Sequence, residues 1–207
     1  FPDGRIVVAN GGTRQLRFYG PDGTWLRDAA GEGEGPGELR QINAALVAGD
    51  SILVYDLALN RVSVFDDRGA YARSFQLPQA PDGPAPALAG RLPDGRLLLR
   101  QQVRSWMVDP HPGVQPLPVR YLLAGPDGTV RRDLGGFERM VHLVRVYEDR
   151  RSSMGVLWGR RAYFGTTADG FLYGSGGRYR VLEHDTTGAV RRIVRLERSP
   201  EPVRPGE

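Results

Sequence analysis

The sequence predicts an all-β fold assembled from four-stranded antiparallel meanders that repeat along the chain. Three observations carry that expectation. First, residues 31–77 hold four short apolar runs, at 42–47, 52–55, 62–65 and 71–75, separated by Gly49-Asp50, by Asn60 and by Arg68-Gly69. Runs of this length, rich in Val, Ile, Tyr and Phe and bounded by turn residues, read as strands. Second, the opening Phe1-Pro2-Asp3-Gly4-Arg5-Ile6-Val7-Val8 returns as Leu92-Pro93-Asp94-Gly95-Arg96-Leu97-Leu98-Leu99, with looser copies at 48–54 and 168–173. Third, each unit has a second turn glycine, at Gly23, Gly69, Gly128 and Gly188.

The spacings give the organisation. Second strands are expected to start at Arg5, Ser51, Arg96 and Phe171, which are 46, 45 and 75 residues apart. The last interval shrinks to the common period once about 14 extra residues are assigned to 103–117 and about 15 to 137–156. A period near 46 residues built of four strands is the size of a propeller blade. One such meander cannot bury both of its faces, so blades must stack. The WD dipeptide is absent, and the glycine doublets of kelch repeats are missing from units two and three.

Taken in order, unit one (1–31) begins at its second strand. Unit two (40–78) is complete. Unit three (86–136) carries the 103–117 insertion between its second and third strands. The 137–156 insertion precedes unit four (157–197), and residues 198–207, with Pro200, Pro202 and Pro205, form a tail or linker unsuited to closing a sheet. The expectation is a single β-propeller domain of about four blades, an incomplete ring belonging to a longer protein; a four-bladed ring is the alternative.

Composition narrows the chemistry. The chain has 207 residues, 40% hydrophobic and 25% charged, which fits a globular repeat array. With no cysteine, disulfides and thiolate chemistry are excluded. No apolar run approaches the ~18 residues of a membrane span, so no transmembrane segment is expected. Every basic residue is arginine, but the net charge is only +4 with acids and bases interspersed, which argues against nucleic acid as a partner.

Gly33-Glu34-Gly35-Pro36-Gly37-Glu38-Leu39, followed by the Asp-x-x-x-Asn-Arg-Val-x-Val-Phe-Asp pattern from Asp56 to Asp66, resembles the NHL-type six-bladed β-propellers, above all their bacterial extracytoplasmic members. Gly159-Arg160-Arg161 and the run from Gly177 to Asp185 fit the same group. The resemblance implies a periplasmic, secreted or lipoprotein location. It implies binding or scaffolding as the commonest role. Related propellers also include lyases, lactonase-like enzymes and hydrolases, often with a metal at the channel mouth, and some bind RNA.

Candidate site residues follow from the insertions. Alternate connections of a meander lie on alternate faces, which puts 31–39, 103–117 and 137–156 on one face. That face carries Trp106, His111, His142 and Tyr147, and elaborations of a rigid scaffold are where binding concentrates. The competing reading is that the insertions cover a blade edge or lengthen a hairpin. The repeated Arg61, Arg120 and Arg180 precede the third-strand core positions. They either line a basic ring for phosphate, carboxylate or nucleic acid, or bond carbonyls and carboxylates locally. NHL-like repeats commonly hold arginine here, which implies the structural role.

No cofactor is expected. Glu32, Glu34 and Glu38 would be the carboxylates of a calcium site, but alternating glycine suits a tight blade crossing, and the loop is no phosphate cradle. His111, His142 and His184 have no metal-ligand spacing, so zinc would have to be assembled across blades. His184 is expected at a blade surface. Ser175 is not in a nucleophile-elbow sequence. The leading expectation is therefore a non-catalytic propeller module that binds a protein, peptide or small ligand on the inserted face. A propeller enzyme is the alternative, and an RNA binder the third reading.

Overall fold

The computed structural model describes residues 1–78, 84–103, 111–148 and 150–197, without the side chain of Arg151. Every regular element among them is a β-strand, and among them no helix is long and apolar enough to cross a membrane. The described residues fall into two compact units. The first comprises 1–103 and 120–135; the second comprises 111–119, 136–148 and 150–197.

In the first unit, the second meander is the complete one. Strands β6 (Ile42–Ala48), β7 (Ser51–Asp56), β8 (Arg61–Asp66) and β9 (Tyr71–Gln76) pair antiparallel in chain order. These are the four runs read from the sequence. Ala44, Tyr55, Val62 and Phe75 form one row across the sheet, because each pairs with the next. The β8–β9 turn is set by Asp66, whose carboxylate accepts the amides of Arg68 (2.9 Å) and Ala70 (2.8 Å). The first meander has three strands, β1 (Ile6–Asn10), β2 (Gln15–Tyr19) and β3 (Trp25–Ala29). The crossing to the second meander contains a short parallel pair, β4 (Gly31–Glu32) with β5 (Glu38–Leu39). Strands β10 (Ala87–Arg91) and β11 (Leu97–Gln102) open the third meander.

Both faces of the second meander are covered. Ile52, Val54 and Phe65 pack with Leu16, Phe18 and Leu39 on one side. Leu53, Tyr55, Val62 and Val64 pack with Leu88, Leu97, Leu99 and Leu122 on the other. Burial of such side chains is the main stabilising term, about 1.5–3 kcal/mol each. This face-to-face stacking of meanders makes the chain a β-propeller-type all-β protein.

Polar staples fix the stacking. Arg27 on β3 lies over the Phe18 ring and donates to the carbonyl of Arg68 in the next meander at 2.8 Å. Arg73 on β9 lies over Phe75 and donates to the Pro126 carbonyl at 3.2 Å. The turns they reach must come close. At Gly69, φ is +85°, and a Cβ would sit 2.5 Å from Ala29 Cβ and 2.9 Å from the Phe18 ring. Only glycine meets both the left-handed backbone and the contact.

The third meander departs from the template. Strand β12 (Gly113–Ala124) has 12 residues and β13 (Val130–Tyr147) has 18, and β14 (Arg150–Gly155) follows as a fifth strand, in the order β10-β11-β12-β13-β14. Residues 113–117 extend β12, residues 137–147 extend β13, and residues 150–155 supply β14. Most of the described residues of both insertions are therefore added sheet, which is the hairpin-lengthening alternative. Residues 104–110, which include Trp106, lie outside the described residues.

In the second unit, the final meander is β15 (Ala162–Thr167), β16 (Gly170–Ser175), β17 (Arg180–Asp185) and β18 (Val190–Arg195). Its packed face is an aromatic cluster. Phe171 stacks on Phe164 at 4.7 Å and on the His184 ring at 4.6 Å, and Phe137 from β13 meets Phe171, Tyr173 and His184 edge-on. His184 is thus buried in the sheet packing, with 5% exposed, and not at a blade surface as its position near a strand end implies. Its Nδ1 donates to the Gly188 carbonyl at 2.9 Å, so the ring serves as a flat aromatic anchored at the turn.

Candidate functional site

The motif Asp56-x-x-x-Asn60-Arg61 has a clear physical job. Asp56 is fully buried and accepts the amides of Arg40 (2.6 Å), Gln41 (3.2 Å) and Leu59 (3.1 Å). Asn60, at φ +45°, donates to the Leu77 carbonyl at 2.8 Å and accepts from the Tyr55 hydroxyl at 3.2 Å. Arg61 donates to the carbonyls of Glu34 (2.9 Å), Gly35 (3.1 Å) and Glu38 (2.8 Å). Together they tie the 31–39 crossing to the second meander. The carboxylates of that crossing are engaged as well: Glu38 accepts the Gly35 amide at 2.8 Å, Glu34 pairs with Arg40, and Glu32 faces Arg14 at 3.7 Å. Among the described residues no group of three or more His, Cys, Asp or Glu side chains is placed to share a metal ion.

The other predicted residues have different surroundings. Arg120 pairs with Asp133 at 3.3 Å. His111 is exposed, and its carbonyl accepts the side-chain amide of the buried Gln115. His142 lies on β13 opposite Gly155, with its Nδ1 2.8 Å from Ser153 Oγ. Burial, and then the nearby Arg139 charge, hold its imidazole below the ordinary histidine value. Tyr147 sits at the far end of the β13–β14 pair, opposite Arg150, and is exposed. Arg180 opens β17, and its guanidinium has no hydrogen-bond or ion-pair partner among the described residues.

The second unit also presents residues that the sequence reading missed. After β14 the chain turns at Val156–Gly159, closed by the Gly159 amide on the Val156 carbonyl at 3.0 Å. Leu157 and Trp158 form the corner, 84% and 100% exposed. Trp158 has φ +59°, a conformation that a bulky residue rarely takes. Gly159 is held tightly behind it, since a Cβ there would lie 2.7 Å from Val141 Cγ2 and 2.9 Å from the Val156 carbonyl oxygen. The chain then runs beside β13 through the Met140–Arg161 bridge into β15. The turn thus projects the largest apolar side chain into solvent from a braced frame. Its local signal was the Leu-Trp-Gly tripeptide, a bulky aromatic before a turn glycine.

Next to that turn lies a polar cleft of about 260 Å³, lined by Glu138, Arg160, Tyr173, Ser175, Arg178 and Arg180. The Tyr173 hydroxyl donates to the Glu138 carbonyl at 2.8 Å, and its phenol is held above the ordinary tyrosine value, first by burial and then by the Glu138 charge. Gly177 forms part of the wall, and a Cβ there would sit 2.9 Å from the Arg160 Nη1.

No family model matches the chain, and no curated protein matches it. Solved structures do. A Bacteroides fragilis protein provisionally named as exported is 12% identical, with a TM-score of 0.47 over 92% of this chain and 67% of that one. A protein of unknown function from Bacteroides caccae is 14% identical, with a TM-score of 0.43 over 92% of this chain and 72% of that one. Virginiamycin B lyase from Staphylococcus aureus is 10% identical, with a TM-score of 0.41 over 96% of this chain and 83% of that one.

Proposed function

We propose that the chain is a non-catalytic binding module of an NHL-type, six-bladed, extracytoplasmic propeller. It takes a protein or peptide partner on the surface formed by the added β13–β14 pair and the turn that follows it. The observation that carries this reading is Trp158, fully exposed on a braced left-handed turn beside exposed Leu157. Exposed aromatics held in a fixed conformation are the usual anchors of protein interfaces, because little conformational entropy is lost when they are covered. Met154 on β14 and Tyr147, at the far end of the β13–β14 pair, are further exposed apolar side chains of the added strands. His142 holds β14 through Ser153 rather than meeting the partner. Arg61 and Arg120 have their donors engaged within the first unit and are left out of the binding surface.

The test is affinity capture from native extract with the chain and with Trp158→Ala and Tyr147→Ala variants of unchanged far-UV circular dichroism. A partner retained by the native chain and lost by at least one variant is the expected result. A partner retained equally by all three would overturn the assignment.

A further inference from the structure

The cleft beside the Trp158 turn has a charge arrangement that packing does not account for. Arg160, Arg178 and Arg180 line it, and none of the three guanidiniums makes a hydrogen bond or ion pair among the described residues. Several arginines elsewhere in the chain are engaged, with carboxylates as in Arg5 with Asp67 at 2.6 Å, Arg96 with Asp94 at 2.7 Å and Arg192 with Glu183 at 2.7 Å, or with carbonyls as in Arg27 and Arg61. In the cleft three positive groups face one carboxylate, Glu138, so the formal balance is 3 − 1 = +2. Like charges gathered without partners repel, and a bound anion relieves that repulsion.

The backbone gathers them by construction. The Arg178 amide donates to the Ser175 carbonyl at 3.2 Å, and the Arg180 amide donates to the Arg178 carbonyl at 2.8 Å. This tight turn sends both side chains from one short segment. Arg160 approaches from the other wall, its guanidinium lying over Gly177 where no Cβ stands in the way. Tyr173 and Ser175 add hydroxyl groups to the floor, and Leu182 closes it.

We infer that this cleft is a binding site for a dianionic oxyanion, a phosphate or a dicarboxylate. Planar guanidiniums match both by paired N–H···O bonds. The volume admits a small metabolite-sized group, and the +2 balance matches a dianion. The site shares no residue with the proposed partner surface of Trp158, Leu157, Tyr147 and Met154, so either assignment can fail without the other.

The test is isothermal titration of the chain with inorganic phosphate and, separately, with succinate, at fixed low ionic strength so that screening does not differ between runs. Saturable one-to-one binding of phosphate, of succinate or of both is expected, and the arm that saturates names the ligand chemistry. Arg178→Gln, Arg180→Gln and Arg160→Gln should each weaken it by about tenfold. The exposed Arg131→Gln, which removes the same charge from the first unit, should leave it unchanged. Absence of saturation up to about 10 mM in both arms would overturn the site. So would equal affinity in the cleft variants, or an equal loss in Arg131→Gln.

Discussion

At the residue scale, several polar side chains hold the chain's own backbone. Arg61 shows this most clearly, with its guanidinium divided among the carbonyls of Glu34, Gly35 and Glu38. Arg61→Ala should lower unfolding free energy by about 1–3 kcal/mol in urea titrations, the scale of charged hydrogen bonds lost together. Arg61→Lys should recover only part of that, because an ammonium cannot span three carbonyls. His142 gives a pH prediction. Its folded value lies below the ordinary 6.5, chiefly through burial. As pH falls below about 6.5 the unfolded chain takes up a proton that the folded chain refuses. Stability from this group is therefore complete above that pH and declines below it. The urea midpoint of the native chain should fall between about pH 7.5 and 5.5, and His142→Gln should fall less. An identical decline in both would show that His142 does not contribute.

At the element scale, the repeated hairpins are built on one device. An aspartate at the turn accepts amides from the residues after it, as Asp22, Asp66, Asp127 and Asp185 do; each carboxyl is held below its ordinary value, chiefly by the Thr24 and Thr187 hydroxyls at Asp22 and Asp185 and by backbone amides at Asp66 and Asp127. The device was legible because Asp and Gly recur at fixed spacing. The close approach of strands was not. At Gly170 a Cβ would lie 1.9 Å from the His184 carbonyl oxygen and 2.9 Å from Asp185 Cα. Gly170→Ala must push β16 from β17, at about 3 kcal/mol or more. Thermal unfolding should shift down by roughly 6–12 °C. A shift under about 2 °C would mean that the two strands are not so tightly set. The described insertion residues were legible as extra chain, with added sheet as one of two open readings. Their alternation is weak, and pairing with β12 and β14 rather than local pattern makes 137–147 a strand.

At the scale of the whole molecule, the final sheet repeats the second meander with one difference. Its row Tyr163, Gly174, Val181 and Val194 corresponds to Ala44, Tyr55, Val62 and Phe75. In the second meander that row is packed against the third meander. In the final sheet Tyr163 is 74% exposed and Val194 55%. Tyr163, Val181 and Val194, with Tyr179 and Leu196, thus make this face of the final sheet an exposed apolar surface. A double Val181→Glu, Val194→Glu variant should lose much of the 8-anilinonaphthalene-1-sulfonate fluorescence of the isolated chain while keeping its circular dichroism. Unchanged fluorescence would mean that this face is not the accessible apolar surface.

The sequence by itself determined the repeat, the strands, the hairpin turns and the site of each insertion. These are local facts: turn residues act within a few positions, and apolar alternation is set by the two-residue period of a strand. Tertiary structure alone decided what the polar residues do. Arg61, Arg120 and Arg180 occupy one repeat position, yet Arg61 binds carbonyls, Arg120 binds Asp133, and Arg180 stands in a cleft with two other guanidiniums. A guanidinium reaches several residues beyond its own strand, so its partner depends on which backbone is brought within hydrogen-bond distance. The same reason buried His184 among aromatic rings and left Trp158 in solvent.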